Sequence, residues 1–308
     1  MNYKKFLKPG NILLTSLLLS AVWVTIFFSP HKAEEEQSQP CMQATGTYSL
    51  SAEEMKALKK LQQLIADGAD VNKADAYGWT PLRAAAYMGY AECVKLLLTV
   101  PGIDVNKADT FGKTPLHVAA YMGHEECLKL LLAAPGIDVN KAGRLVNTPL
   151  HVAAYKGHAE CLKLLLAAPG IDVNKADKYG ETPLYPAACF GHVECIKHLL
   201  ATPGIDVNKA DYFGSTPLYM AACEGHTECV KLLLAAPGID VNKADKDGRT
   251  PLFWAAMTGQ VECVKLLLAA PGIDVNKADE DGETPLEAST EQGHTECAEL
   301  IRAARGEM

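Results

Sequence analysis

The stretch Asp211–Ala244, DYFGSTPLYMAACEGHTECVKLLLAAPGIDVNKA, decides how this chain is read. Its tripeptide Thr216-Pro217-Leu218 recurs at Thr80, Thr114, Thr148, Thr182, Thr250 and Thr284, always at an interval of 34 residues. A pattern this long and position-specific marks a structural repeat, the signature of a solenoid or related array. Asp211 to Gly214 reads as a turn, with glycine supplying a backbone geometry that other residues resist. Thr216 has the chemistry of a helix N-cap, and Pro217 suits the first helical position. Leu218–Cys223 forms a first helix, whose Ala221 and Ala222 let a neighbour approach closely. Gly225-His226 breaks it. Glu228–Ala236 forms a second helix with Val230, Leu232, Leu233 and Leu234 on an apolar face, and Pro237-Gly238 stops it. Ile239-Asp240-Val241-Asn242 is extended and leads into the next turn. One such unit cannot bury its apolar face alone, so the copies must stack into a continuous core.

The run Gly-x-Thr-Pro-Leu-His-x-Ala-Ala, then Gly-His, then Leu-Leu-Leu, then Asp-Val-Asn, resembles the ankyrin repeat; Gly112 to Ala120 and Gly123-His124 match it closely. The resemblance covers residues 51–308. It implies an all-α solenoid of stacked helix-turn-helix units joined by short β-hairpin loops, with a cap at 51–74 and repeats at 75–108, 109–142, 143–176, 177–210, 211–244, 245–278 and 279–308. One departure is consistent: a proline lengthens the connection after the second helix, as in Ala134-Pro135-Gly136-Ile137, beyond the usual 33-residue unit. The extra residue is expected to bulge locally and leave the stack intact. Ser51-Ala52-Glu53-Glu54 matches a capping box that opens a helix to about Ala66. Its outer side carries Lys56, Lys59, Lys60 and Gln63. The last unit reads Leu300-Ile301-Arg302 in place of three leucines, and polar terminal faces of this kind keep a solenoid soluble.

Ahead of the repeats, Lys4, Lys5 and Lys8 precede an apolar run from Ile12 to Phe28. Residues 1–33 therefore read as a hydrophobic anchor helix, single-pass, with the lysine flank cytoplasmic and the repeat domain extracytoplasmic. A cleaved signal peptide, releasing a secreted or periplasmic domain, is the alternative. Residues 34–50 read as a flexible linker.

The formal net charge is −8, and no block of Lys or Arg breaks it. This sets nucleic acid aside, because phosphate binding needs concentrated positive charge. Cys93, Cys127, Cys161, Cys195, Cys229, Cys263 and Cys297 recur at the repeat interval, as expected of small buried hydrophobes. Only Cys189 with Cys195 and Cys223 with Cys229, each flanking a turn within one repeat, could bridge. His124, His158, His192, His226 and His294 share the Gly-His position, and His117 and His151 follow Thr-Pro-Leu. Strung one per repeat, they cannot converge on a metal and should bond between repeats. Glu92/Lys95, Glu126/Lys129 and their successors form a solvated ion-paired face. No nucleophile elbow, phosphate-cradling loop or Ser/His/Asp set appears. No catalytic, cofactor or metal site is expected, and the chain reads as a non-catalytic scaffold; a spacer or self-associating element is the alternative.

The resemblance places binding on the hairpin tips and first helices, along a concave side, where the repeats differ. The tips hold Tyr77, Trp79, Phe111, Tyr179, Tyr212 and Phe213. The first helices hold Arg83, Tyr87, Tyr121, Tyr155, Tyr185, Phe190, Tyr219 and Phe253, with Trp254 and Met220 where a core aliphatic usually falls. Tyr, Trp and Arg dominate binding hot spots. These residues are the expected contacts of a protein partner, bound by a monomer. The third repeat departs most: Gly143-Arg144-Leu145-Val146-Asn147 loses both Asp and Gly of the turn, with Val146 where positive φ is favoured. That tip is expected to take a different path. Pro186 should remove one hydrogen bond from its first helix.

Overall fold

The computed structural model describes residues 50–145 and 147–307. The anchor and the linker through Ser49, and Val146, lie outside the described residues. A cap helix, α1 (Ala52–Ala66), is followed by helix pairs. The first helices are α2 (Pro81–Met88), α4 (Pro115–Met122), α6 (Pro149–Lys156), α8 (Leu184–Cys189), α10 (Pro217–Cys223), α12 (Pro251–Met257) and α14 (Pro285–Glu291). The second helices are α3 (Ala91–Leu98), α5 (Glu125–Leu132), α7 (Ala159–Leu166), α9 (Val193–Leu200), α11 (Thr227–Leu234), α13 (Val261–Leu268) and α15 (Thr295–Arg305). Each first helix packs on the next first helix, and each second helix on the next second helix.

The repeat motif explains each element. Thr80 Oγ1 accepts the Arg83 N–H at 3.2 Å, and Thr216 Oγ1 accepts that of Tyr219 at 3.1 Å. These bonds satisfy donors that a helix start leaves open, and the following proline has no N–H to satisfy. Leu82, Leu116, Leu150, Leu184, Leu218 and Leu252 are fully buried, as are Leu97, Leu131, Leu165, Leu199, Leu233 and Leu267 from the second helices. Between them Ala119-Ala120 and Ala153-Ala154 are also closed to solvent; their small side chains keep the helix rows close. The repeated cysteines, Cys93 to Cys297, are buried free thiols in this core. Burial raises Cys127, Cys161 and Cys195 to about 12, so they are unreactive. Cys189, Cys195, Cys223 and Cys229 are likewise unbridged.

Gly-His is an inter-repeat pair. Gly157 sits at φ +73°, and a Cβ there would lie 2.5 Å from Nδ1 of His192 in the next repeat. The ring is held by Nε2 bonding the Tyr155 carbonyl at 2.9 Å. His124, His158 and His226 bond the Tyr87, Tyr121 and Cys189 carbonyls in the same way, at 3.0–3.1 Å. The lengthened connection is also part of the stack. Asn140 Nδ2 donates to the Gly170 carbonyl at 2.7 Å while its Oδ1 accepts the Asp172 N–H at 2.9 Å. Asn72, Asn106, Asn174, Asn208 and Asn242 repeat this double bond to the next unit.

Three expectations change. The connections are turns: among the described residues there is no strand. Every tip but the third closes through an aspartate, as when Asp211 Oδ1 accepts the Phe213 and Ser215 N–H groups, both at 2.8 Å. A single backbone bond then joins successive tips, such as Tyr212 N–H to the Tyr179 carbonyl at 2.8 Å, too few for a ladder. Second, the third tip keeps the register of the others. Arg144 N–H donates to the Phe111 carbonyl at 3.0 Å, and the Leu145 carbonyl accepts from Lys178 N–H at 3.1 Å. A Cβ on Gly143 would lie 2.8 Å from Asn147 Oδ1, so the Asn147 amide fills the space that the missing aspartate would occupy. Third, the second helix of the quoted repeat ends at Leu234, because Ala236 N–H turns back to the Leu233 carbonyl at 3.0 Å.

Pro186 acts as its chemistry requires. Elsewhere the residue four beyond the capping threonine bonds its carbonyl, as Met220 N–H does Thr216 at 3.0 Å. Proline has no N–H, so Tyr185 N–H bonds Thr182 at 2.9 Å instead, and Ala187 N–H reaches Pro183 only at 3.5 Å. The Thr182 hydroxyl is left buried without a hydrogen bond. Pro186→Val, the residue found at 118 and 152, is expected to stabilise the protein by about 1–2 kcal/mol. The gain is smaller than a mid-helix proline would give because the site lies in the first turn. A guanidinium midpoint that does not rise would refute this.

Candidate protein-binding face

The fourteen variable-position residues sort by burial, and the sorting follows from what the next repeat offers. Tyr77, Phe111, Tyr212 and Phe213 are exposed at the tips, Tyr212 and Phe213 by 61% and 62%. Trp79, Tyr87, Tyr121, Tyr155, Tyr179 and Phe190 are half-buried. Arg83, Tyr185, Tyr219 and Phe253 are buried. The last four share one register, three residues after the capping threonine, which faces the turn of the following repeat.

There each side chain serves that turn. Arg83 Nη2 lies 2.6 Å from Asp109 Oδ2. The Tyr185 phenol lies beside Asp211, and Tyr219 beside Asp245; burial first, then those carboxylates, hold both phenols well above the ordinary tyrosine range. Burial also raises Asp177 and Asp211, opposed by the N–H groups they accept. His117 and His151 in this register donate from Nε2 to the Asn147 and Glu181 carbonyls at 3.1 and 3.0 Å. Phe253 has no polar atom to offer, and Arg249 reaches Asp279 at 3.3 Å instead. Phe253 is fully buried and has no surface for a partner. Arg83, Tyr185 and Tyr219 are also packing residues, because a side chain in this register must close the next turn.

The half-buried aromatics meet in local groups along the row of first helices. Trp79 and Tyr87 have ring centroids 5.3 Å apart, and Tyr155 meets Phe190 edge-on at 4.7 Å. Arg83 lies 3.8 Å over the Trp79 ring. Lys156 sits 4.3 Å over Tyr121 and 5.9 Å over Tyr155, with Lys113 5.5 Å over Tyr121 from the tip. Lys178 covers Tyr179 at 4.6 Å. Farther along, Trp254 leans on Tyr219 with centroids 5.5 Å apart and donates from Nε1 to Asp245 at 3.2 Å. Cation–π contacts of this kind fix ring orientation and are worth about 0.5–1 kcal/mol each where exposed. The residue pattern alone does not single out these lysines; their signal is their place at the variable tip and helix-end positions. On the opposite helix row, Glu126–Lys129, Glu160–Lys163 and Glu194–Lys197 pair at 2.7–3.5 Å, largely in solvent. Among the described residues no group of three His, Cys, Asp or Glu is placed to hold a metal ion.

A stack of helix pairs whose variable aromatics lie along the row of tips and first helices defines a repeat scaffold. The family model for ankyrin repeats in three copies matches at residues 49–143, 142–211, 203–279 and 237–307, and the chain belongs to the ankyrin repeat family. Among solved structures it is similar to the ankyrin repeat domain of Bcl-3, a member of the IkappaB family. That match has 27% identity and a TM-score of 0.65, over 73% of this chain and 99% of that one. It is also similar to the human ASB11 ankyrin repeat domain, at 30% identity and a TM-score of 0.62, over 73% and 98%. No curated protein sequence matches the chain. Ankyrin repeats are in general protein–protein interaction modules.

Proposed function

We propose that the chain is a non-catalytic scaffold that binds a protein partner along its concave row of tips and first helices. The observation that carries this is the stripe from Trp79 through Tyr87, Tyr121 and Tyr155 to Phe190, half-buried and held in fixed orientation. Preorganised aromatics lose little entropy on binding and contribute large contact areas. The exposed tips at Tyr77, Phe111, Tyr212 and Phe213 extend it, and Tyr179 flanks it. Trp79→Ala/Tyr121→Ala/Tyr155→Ala is expected to abolish partner capture with the helical signal intact. Unchanged capture by a folded triple variant would remove this face from consideration.

The scaffold is proposed to act at a membrane, anchored through residues 1–33 with the repeats extracytoplasmic, or beyond it after signal cleavage. The lysine-flanked apolar run supports this; among the described residues no helix is long and apolar enough to cross a membrane. Intact mass and membrane fractionation separate the two forms, and a full-length protein wholly in the cytosolic fraction would exclude both.

A further inference from the structure

Charge is unevenly distributed on the proposed binding face. Over the first four repeats the cations at tips and helix ends are Arg144 and Lys178, both exposed, and Lys113 and Lys156, both half-buried. Of the carboxylates there, Asp109, Asp177 and Glu181 are buried, and the exposed Asp75 accepts the Tyr77 and Trp79 N–H groups of its own turn. Exposed acids gather at the seventh repeat, with Glu280, Asp281, Glu287 and Glu291, whereas at the sixth Asp247 pairs with Arg249 at 3.4 Å beside an exposed Lys246. The cations coincide with the aromatic stripe, since Lys113 and Lys156 both sit over Tyr121. They come from different repeats, so no run of sequence displays them. In a chain of net charge −8, this is a local positive patch set apart from the acidic seventh repeat. Such a field concentrates an acidic ligand at one place and repels it elsewhere.

We propose that the first four repeats bind an extended polypeptide segment rich in Asp and Glu, with apolar side chains that cover the stripe. The acidic seventh repeat limits how far that segment runs and so sets its direction. This inference rests on the binding-face reading above and names its partner's chemistry. Carboxylates suit the site because each can pair with an ammonium already oriented by a ring, while the intervening apolar residues lie on Tyr87, Tyr121 and Tyr155. A nucleic acid would carry its charge past the patch onto the acidic seventh repeat, where like charges repel.

The test is selection of a random linear peptide library, displayed on phage, against the full-length chain, followed by fluorescence anisotropy on the synthesised winners. Winners are expected to be net acidic with interspersed apolar residues. Their affinity should fall at least about tenfold in Lys113→Glu/Lys156→Glu/Lys178→Glu and again between ~50 and ~500 mM salt. Glu280→Lys/Glu291→Lys should not weaken them. If the charge reversal unfolds the chain, Lys113→Gln/Lys156→Gln and the salt titration of the unaltered protein read the same effect. Neutral or basic winners, no winners, salt-independent binding, or displacement of the peptides by an oligothymidine of equal charge would each overturn the inference. Should charge variants leave affinity unchanged while Tyr121→Ala/Tyr155→Ala abolishes it, the face stands and only its acidic partner falls. If neither set matters, both fall.

Discussion

Lowering the pH from 7 to 4 is expected to remove about 6 kcal/mol of stability from the second and third repeats, about 3 kcal/mol for each of His117 and His151. Both imidazoles are buried, and burial lowers each to about 4. Their bonding agrees with the neutral form. Nε2 donates to the next repeat's carbonyl, while Nδ1 accepts the N–H of Thr114 or Thr148 at 3.2 or 3.1 Å. A proton on Nδ1 would face that N–H. Because the folded value lies below the unfolded one near 6.5, the stability is fully present above pH 6.5 and is lost as pH falls toward 4. Asp177 and Asp211 act oppositely, since burial raises them; their contribution is present at low pH and fades as pH rises through the carboxylate range. They offset part of the loss at the acid end. His117→Phe/His151→Phe, which follows the example of Phe253 in the same register, should flatten the dependence of the urea midpoint on pH. Parallel slopes for both proteins would disprove the assignment. Hydrogen exchange should place the acid-induced opening at the second and third repeats, because repeat arrays open locally.

Asp109→Ala is expected to cost about 3–5 kcal/mol. One carboxylate holds two structures together. Oδ1 closes the turn by accepting the Phe111 and Lys113 N–H groups, both at 2.8 Å, and Oδ2 neutralises Arg83 at 2.6 Å. Removing it leaves a guanidinium with 5% exposure without its contacting carboxylate, and only the more distant Asp75 as counter-charge. Burial already lowers the Arg83 pKa against the pull of Asp109. The first repeat and the cap should detach first, seen as loss of exchange protection in Ala52–Met88. Arg83→His in the Asp109→Ala background should recover part of the loss, because His117 and His151 show that imidazole satisfies this register through a carbonyl alone. A double variant no more stable than Asp109→Ala would show that the turn, and not the stranded charge, dominates the cost.

Much of this fold is legible in one repeat. Thr216, Pro217 and Gly225 start and stop a helix through bonds spanning a few residues, and those bonds form as the residue types require. The position of Pro186 announces the missing bond in its helix. The third tip shows the limit of such local reasoning. The loss of its aspartate and glycine suggests a diverted path, yet the two neighbouring tips hold Arg144 and Leu145 in register, and the Asn147 side chain occupies the vacated space. Two stacked neighbours outweigh the preference of one turn.

The binding face divides in the same way. The alternation of constant and variable positions, together with the family resemblance, marks the tips and first helices, and the sequence alone determines that aromatics gather there. Which of them reach the surface depends on residues a full repeat away. Arg83 is buried because Asp109 receives it, Phe253 because the next repeat closes over it, and Tyr121 is flanked by one lysine from its own repeat and one from the following repeat. Helix starts, stops and apolar stripes are set by short-range bonds that residue type encodes directly. Exposure and local charge are set by stacking, which brings side chains into hydrogen-bond contact with backbone carbonyls 30 to 37 residues away, and only the tertiary structure decides them.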